Sequence, residues 1–592
     1  MARIDSKVLF LTTSPRTPEK MIPEIELLVE HFAGSSWNSD TQRAFMDVLR
    51  EEQFFNGKGE KDPALSARDR INRAPKSLGF VNLSPFISLT PAGKALLSFK
   101  RKDEVFLRQM LKFQVPSPYH KPTTKAASFC VKPYLELLRL VRVMGTLRFD
   151  ELQIFGMQLT DWHDFDRIVQ KIELFRIAKT EYQGSYRTFK SEYLRNELTC
   201  IFQDRIASGD TKTRESNDAS LEKFLITQSS NMRDYADACF RYLRVTGLVN
   251  VSHVGKSLSI VPERIEDVDY ILQTVDREPC FVEDEESYVA YLGSADSPLL
   301  LTDDKQRILS KLHTEFPETN VRQDLNMITL KNLLADLIEQ RKSDTLCRQV
   351  KEIKDYKLYD DIQNTFRQIE EKELYDAPLM LEWNTWRAMT MLDGGEIKAN
   401  LNFDDFGNPL STAQGNISDI VCDYGDYMLS VEVTMASGQR QYEMESEPVS
   451  RHLGKMKKAF GKPCYCLFVA PTINEACIAH FYALHNMNIS YYGGKSVIIP
   501  LSLNIFQKMI EDSYKATYTP NPSQVRRFFE YSVKLASECE NEKIWYEHIK
   551  EKALNWLVLF DYGICVFDYR PGSYIGRSQL SDRRCGCRGP SL

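Results

Sequence analysis

The chain has 592 residues, 43% of them hydrophobic and 27% charged, and its 76 Lys and Arg against 82 Asp and Glu leave a formal net charge of −6. That profile is ordinary for a soluble globular chain and excludes a disordered or fibrous one. No run reaches the roughly 18 apolar residues of a membrane span, and about 100–200 residues per domain predicts three or four domains.

The net charge hides an asymmetry, because residues 61–142 hold 16 Lys and Arg against 5 Asp and Glu. A basic block in an otherwise acidic chain is the footprint expected of a protein that meets a polyanion. The 13 cysteines are scattered, with close pairs only at Cys464/Cys466 and Cys585/Cys587. That spacing speaks against a structural zinc site or a disulfide framework and predicts a reducing, cytoplasmic setting. Asp5 breaks the basic start of the chain and no small-residue cleavage site follows, so no secretory signal is read.

In chain order, 21–32 (MIPEIELLVEHF) and 40–50 (DTQRAFMDVLR) place apolar residues at helical spacing. Arg68, Arg70 and Arg73 then lead into LGFV, a break at Ser84-Pro85 separates two short strands, and Thr90 is placed to cap a helix beginning TPAGKALL. Helix, strand–turn–strand, helix is the order of a winged helix, a helix-turn-helix variant that reads the major groove. The pattern recurs. Residues 133–155 give a helix, a Gly turn and a second helix start. Residues 231–262 give a helix with Arg233, Arg241 and Arg244, then TGLV and a hairpin around Gly255-Lys256.

From 302 to 376 the chain is polar and helical, rich in opposite charges four residues apart and without a persistent heptad. Beyond it the helix 378-PLMLEWNTWRAMTML-392 leads to 418-SDIVCDYGDYMLSVEVTMASGQ-439, two short strands around a Tyr-Gly-Asp turn. A helix (446–460), a buried strand (463–471), a helix (473–485) and a strand (496–502) follow. Alternating strands and helices predict an α/β sheet.

Two carboxylates stand out in the hairpin. Asp419 opens its first strand and Glu432 sits inside its second, 13 residues later. Buried there, they cost folding energy unless something positive meets them. If both point to one side they can share a divalent cation, and hard oxygen ligands are what Mg²⁺ takes. Asp, about 13 residues, then Glu-x-Lys is the nuclease pattern written PD-(D/E)xK; here Ser418 replaces the Pro and Thr434 the Lys. Glu445 and His452, seven residues apart, share a helix face if the helix starts early enough. Either His452 or Lys455 could take the place of the missing lysine, and Glu382 is a further candidate ligand. Glu445 equally suits a helix N-terminus, where the dipole favours acids; His452 equally suits helix packing, and Glu382 equally suits solvent.

The run SDIVCDYGDYMLSVEVTMASGQRQYEMESEPVSRH, with CLFVAPTIN and VIIPLSL after it, resembles the AlwI/PleI/MlyI group of type IIS restriction endonucleases and the related enzymes that nick one strand near GAGTC. TSPRTPEK, SARDR…LGFV and FRYLRVTGL fit the same group, so the resemblance spans about residues 10–560. It implies winged-helix recognition subdomains, a helical linker and a nuclease domain. It also implies an active site at Glu382, Asp419, Glu432, Glu445 and His452, and makes Val-Thr after the Glu a habit of the group.

The expected division is therefore two winged-helix DNA-recognition subdomains (1–130 and 131–275), a helical linker (276–376), an α/β nuclease domain of the PD-(D/E)xK type (377–560) and a disordered tail (561–592). The expected activity is Mg²⁺-dependent cleavage of double-stranded DNA at a fixed offset from a short asymmetric site. One strand is cut per nuclease domain, and a small nuclease subunit or a transient homodimer serves the second strand. Asp419, Glu432 and Glu382 are the expected metal ligands. Arg68, Arg70, Arg73, Arg241 and Arg244 are the expected DNA contacts. The competing expectation is a winged-helix DNA-binding regulator with a degenerate nuclease domain.

Overall fold

The computed structural model describes residues 2–557 apart from 53–61, 214–215, 217, 393–394, 413–416 and 517–519, so the expected tail lies outside the described residues. The chain is a mixed α/β, multidomain architecture. Its N-terminal helices Met21–Phe32, Ser39–Glu51 and Pro63–Ile71 precede the two-residue strands Val81–Asn82 and Ser88–Leu89. Thr90 caps the next helix: its hydroxyl oxygen accepts from the Gly93 amide at 2.9 Å, and the hydroxyl donates to the Gly79 carbonyl at 2.6 Å. A Cβ at Gly93 would lie 2.0 Å from the Phe80 carbonyl oxygen, so the helix reaches the hairpin this closely only with glycine.

The stretches 133–155 and 231–262, expected as repeats of one pattern, are two halves of a single unit. Strand Ser257–Ile260 lies between Thr146–Arg148 and Val249–Ser252 in one antiparallel sheet, flanked by helices Pro133–Met144, Phe149–Ile154 and Leu221–Val245. The sequence reading missed the strand after Gly145 because three residues are too few to display alternation. One apolar core runs through Ile4, Phe113, Val131, Phe240 and Val275. Helices Lys305–Glu315, Met327–Lys354 and Tyr359–Glu370 follow, the first two sharing a small core of Ile308, Leu312, Leu330 and Leu334.

The C-terminal part starts with helix α1 (Ala377–Leu392) and carries a five-stranded sheet of β1 (Glu396–Ala399), β2 (Ile420–Asp423), β3 (Met428–Val433), β4 (Cys464–Ala470) and β5 (Ile498–Ser502), ordered β5-β4-β3-β2-β1. The first three form an antiparallel meander; β3, β4 and β5 run parallel, joined by crossover helices α2 (Gly438–Phe460) and α3 (Glu475–Asn486). Parallel neighbours need such crossovers. Leu429, Val431 and Val433 pack on the α1 side, whereas Met428 faces Val449, Leu453 and Met456 of α2. Since successive side chains alternate, Ser430 and Glu432 share the α2 side with Met428.

Candidate active site

Every residue of β3 is buried, Glu432 included. Ile420 pairs with Val431, and the register extended by one residue sets Asp419 across from Glu432. Asp419 alternates with Ile420 exactly as Val421 does, so both carboxylates fall on one face of the hairpin. The Val433 amide donates to Asp419 Oδ2 at 2.8 Å, which fixes that carboxylate at the strand end.

Helix α2 begins at Gly438, earlier than the expected 446, and this is what brings Glu445 and His452 onto one helix two turns apart. His452 Nδ1 lies 3.0 Å from Glu432 Oε1, and its Nε2 is buried with no hydrogen-bond partner among the described residues. Thr434, at the position a lysine would occupy, donates its hydroxyl to Glu445 Oε1 at 2.7 Å. Lys455 faces Arg451 and Glu447 on its own helix. Glu382 lies on α1, between Leu381 and Trp383, and feels the charges of Asp419 and Glu432.

These four acids are crowded. Burial, then the charge of Asp419, pushes Glu382 well above the usual carboxylate range, and burial, then the charge of Glu432, does so to Asp419. Burial does the same to Glu432, with the Ser418 hydroxyl and Arg451 opposing it, and raises Glu445, with Thr434 opposing it. Burial and Arg451 push His452 down to about 4, so the imidazole is neutral at neutral pH. Among the described residues no Lys or Arg forms an ion pair with any of the four acids.

The expected DNA arginines separate. Arg68 is exposed, Arg73 pairs with Asp69 at 3.0 Å, and Arg70 reaches the buried Glu24 at 2.6 Å. Arg241 and Arg244, also expected at DNA, point inward. Arg241 meets Asp376 at 3.0 Å and Asp237 at 3.2 Å, and Arg244, with a side chain 7% exposed, lies 3.9 Å from Asp376. At that depth the guanidinium groups serve a seam between the N-terminal core and the helix of Glu382, not a surface. Tyr375 strengthens the seam, donating its hydroxyl to Asp237 at 2.9 Å and its amide to the His253 carbonyl at 2.8 Å.

Sequence reasoning did not single out Asp376, Ser418 as a partner of Glu432, or Lys20, whose charge reaches Glu382 from the N-terminal segment. The only signal for Lys20 was the TSPRTPEK motif itself. A cavity of about 1220 Å³ opens between the parts, lined by Lys20, Arg70 and Lys100 on one side and Met380, Trp383 and Thr412 on the other. The carboxylates do not line it, but Met380 and Trp383 flank Glu382 on α1. No helix among the described residues is long and apolar enough to cross a membrane.

The family model of the AlwI restriction endonuclease matches residues 76–509. Among solved structures, the small subunit of the heterodimeric restriction endonuclease R.BspD6I is 23% identical, with 33% of this chain and 95% of that chain covered and a TM-score of 0.27. The binding domain of the BpuJ1 endonuclease, solved with pyrene- and phenanthrene-modified DNA, is 14% identical over 47% of this chain and 92% of its own, at a TM-score of 0.29. Restriction endonuclease FokI bound to DNA is 13% identical over 88% of this chain and 92% of its own, at 0.21. No curated protein matches the chain.

Proposed function

The chain belongs to the AlwI restriction endonuclease family, and we propose that it is a type IIS-like, Mg²⁺-dependent endonuclease of double-stranded DNA that cuts one strand per nuclease domain at a fixed offset from a short asymmetric site. The observation that carries the chemistry is the convergence of Glu382, Asp419, Glu432 and Glu445 without a paired Lys or Arg among the described residues. Buried acids of this kind fit a hard divalent cation, which takes oxygen ligands and keeps several waters. Asp419, Glu432 and Glu382 would hold it. When bound, Mg²⁺ polarises the phosphate and lowers the pKa of a coordinated water.

The chain's own groups do the rest. His452 Nδ1, 3.0 Å from Glu432 Oε1, would donate to that carboxylate from the neutral ring and hold it in place. Glu445, oriented by Thr434 and raised in pKa, is suited to take the proton that the attacking water loses. The water oxygen bonds to phosphorus, the bond to the leaving sugar oxygen breaks, and a 3′-hydroxyl and a 5′-phosphate result. Thr434 therefore supports a reading in which the lysine's task has moved to α2.

The helix–sheet order of residues 1–130 and 131–275 supports winged-helix recognition subdomains, with 276–376 as linker and 377–560 as a PD-(D/E)xK-type nuclease domain. Arg68 and Arg73 remain the DNA-contact candidates, and phosphate contacts would make binding fall with salt. Because one nuclease domain holds one site, a small nuclease subunit or a second copy would serve the opposite strand.

The test is supercoiled plasmid with Mg²⁺ at a series of enzyme concentrations. Nicked circle should accumulate first, with linear product appearing only as concentration rises. Equal rates of nicking and double-strand cleavage at the lowest concentration would overturn one cut per domain. No relaxation at all would instead favour a DNA-binding regulator with a degenerate nuclease domain.

A further inference from the structure

Far from the carboxylate cluster, on the N-terminal part, three segments bring four metal-binding side chains together. Cys130 precedes the helix Pro133–Met144, Asp161 and His163 lie in the turn before the helix Phe165–Glu181, and Glu278 follows the helix Ile265–Thr274. The backbone locks the first two segments: the Cys130 amide donates to the Thr160 carbonyl, and the Trp162 amide to the Cys130 carbonyl, both at 3.0 Å. Sγ of Cys130, a carboxylate oxygen of Asp161 and a ring nitrogen of His163 all lie within 4.8 Å of one another. Glu278, from a third segment, touches this trio at Cys130 without lying within 4.8 Å of all three donors. The Cys130 thiol meets its Oε2 at 3.2 Å, and the Trp162 indole N–H donates to its Oε1 at 3.2 Å.

We propose that Cys130, Asp161, His163 and Glu278 form a site for one divalent transition-metal ion of the zinc class. Zinc–ligand bonds of about 2.0–2.3 Å set tetrahedral donors roughly 3.3–3.8 Å apart. Cys130, Asp161 and His163 already lie within 4.8 Å of one another, and the exposed Glu278, 3.2 Å from Sγ through Oε2, turns toward them to supply the fourth donor. The donors are one thiolate, one imidazole and two carboxylates. Sulfur and nitrogen donors select a borderline-soft ion, unlike the all-carboxylate centre proposed for Mg²⁺.

Charge agrees with this reading. Among the described residues no Lys or Arg forms an ion pair with Asp161 or Glu278, and Asp161 pairs only with His163. Burial, then Glu278 and Asp161, hold the Cys130 thiol up at about 12 in the metal-free protein. A bound cation reverses that balance: the thiol proton leaves to solvent as the S–metal bond forms, and the two carboxylates become favourable neighbours. The ion would add a staple to three segments that already share the N-terminal apolar core. His163 stacks on Trp162 with centroids 3.9 Å apart, which holds the ring in place.

Tag-free full-length protein, cleared of metal by a chelator, is titrated with Co²⁺ and, separately, with Zn²⁺. The parent should take up Co²⁺ with a near-ultraviolet thiolate-to-cobalt absorption and show a rise in Tm with one equivalent of Zn²⁺. Cys130→Ser should lose the absorption, and both Cys130→Ser and the surface variant Glu278→Gln should lose the Zn²⁺-dependent rise, with metal-free Tm values close to the parent's. A parent without the absorption, or an absorption retained in Cys130→Ser, overturns the site. A Tm rise that survives Glu278→Gln removes Glu278 from it and overturns the four-donor set. Plasmid cleavage plays no part in these readouts, so they stand apart from the nuclease assignment.

Discussion

Two clusters of buried charge lie at either end of α1's first turns, and they are built on opposite plans. At the seam, Asp376 is answered by Arg241 and Arg244, and Tyr375 and Asp237 close the network. At the site, Glu382, Asp419, Glu432 and Glu445 crowd one another, answered by a neutral imidazole, a few hydrogen-bond donors and the unpaired charges of Lys20 and Arg451 at longer range. Burying an ion pair roughly cancels its own desolvation, whereas burying unpaired acids is a standing cost. The first plan is that of a structural joint. The second, on the proposed function, is that of a cation-binding centre.

The largest expected effect sharpens that contrast. Asp419→Asn and Glu432→Gln should each reduce plasmid cleavage to background while leaving DNA binding in a gel-shift assay intact. The same variants, freed of a buried charge, should melt above the metal-free parent. A variant that melts lower and still cuts would place the acids in the structural class.

Asp376→Ala is the mirror experiment. Removing one partner of a buried pair costs about 3–5 kcal/mol, so denaturant unfolding should show a loss of that order. Cleavage by the fraction still folded should persist. His452→Ala is smaller: losing a group that orients a metal ligand typically costs about 10–100-fold. That loss should appear in single-turnover cleavage with little change in DNA affinity.

The pH dependence follows from the raised acids. Groups whose folded pKa exceeds the unfolded value bind protons more tightly in the folded state, so metal-free stability should fall as pH rises above the ordinary carboxylate range of about 4. Added Mg²⁺ should restore Tm at neutral pH and do less in mild acid, where protons compete. Arg68→Ala is the smallest effect. It should weaken binding uniformly across sequences and lower the salt slope by about one.

The hairpin and its two acids were legible because strand alternation and a tight turn are local signals. Glu445 and His452 were legible through helical spacing, although their meeting with Glu432 depended on α2 starting at Gly438. The seam was not legible. Arg241 and Asp376 are 135 residues apart, and a guanidinium at the end of an apolar helix looks the same in sequence whether it turns outward or inward. Cys130 escaped for the same reason: its neighbours come from two other segments, and the spacing rules for cysteine metal sites assume ligands close in sequence.

The helix Met327–Lys354 touches both ends of this story. Asp336 on it pairs with Lys100 of the N-terminal part, and Ile353, near its other end, is packed in the core beneath the five-stranded sheet. At 1.5 Å per residue those anchor points stand about 26 Å apart, and B-DNA climbs about 3.4 Å per base step along each strand. On the proposed function this helix is a ruler graduated in base pairs, and the interval it spans is roughly seven or eight of them. Adding one helical turn between Asp336 and Ile353 would lengthen the ruler by about 5.4 Å and should relocate the scissile bond along the duplex without altering which bases are read.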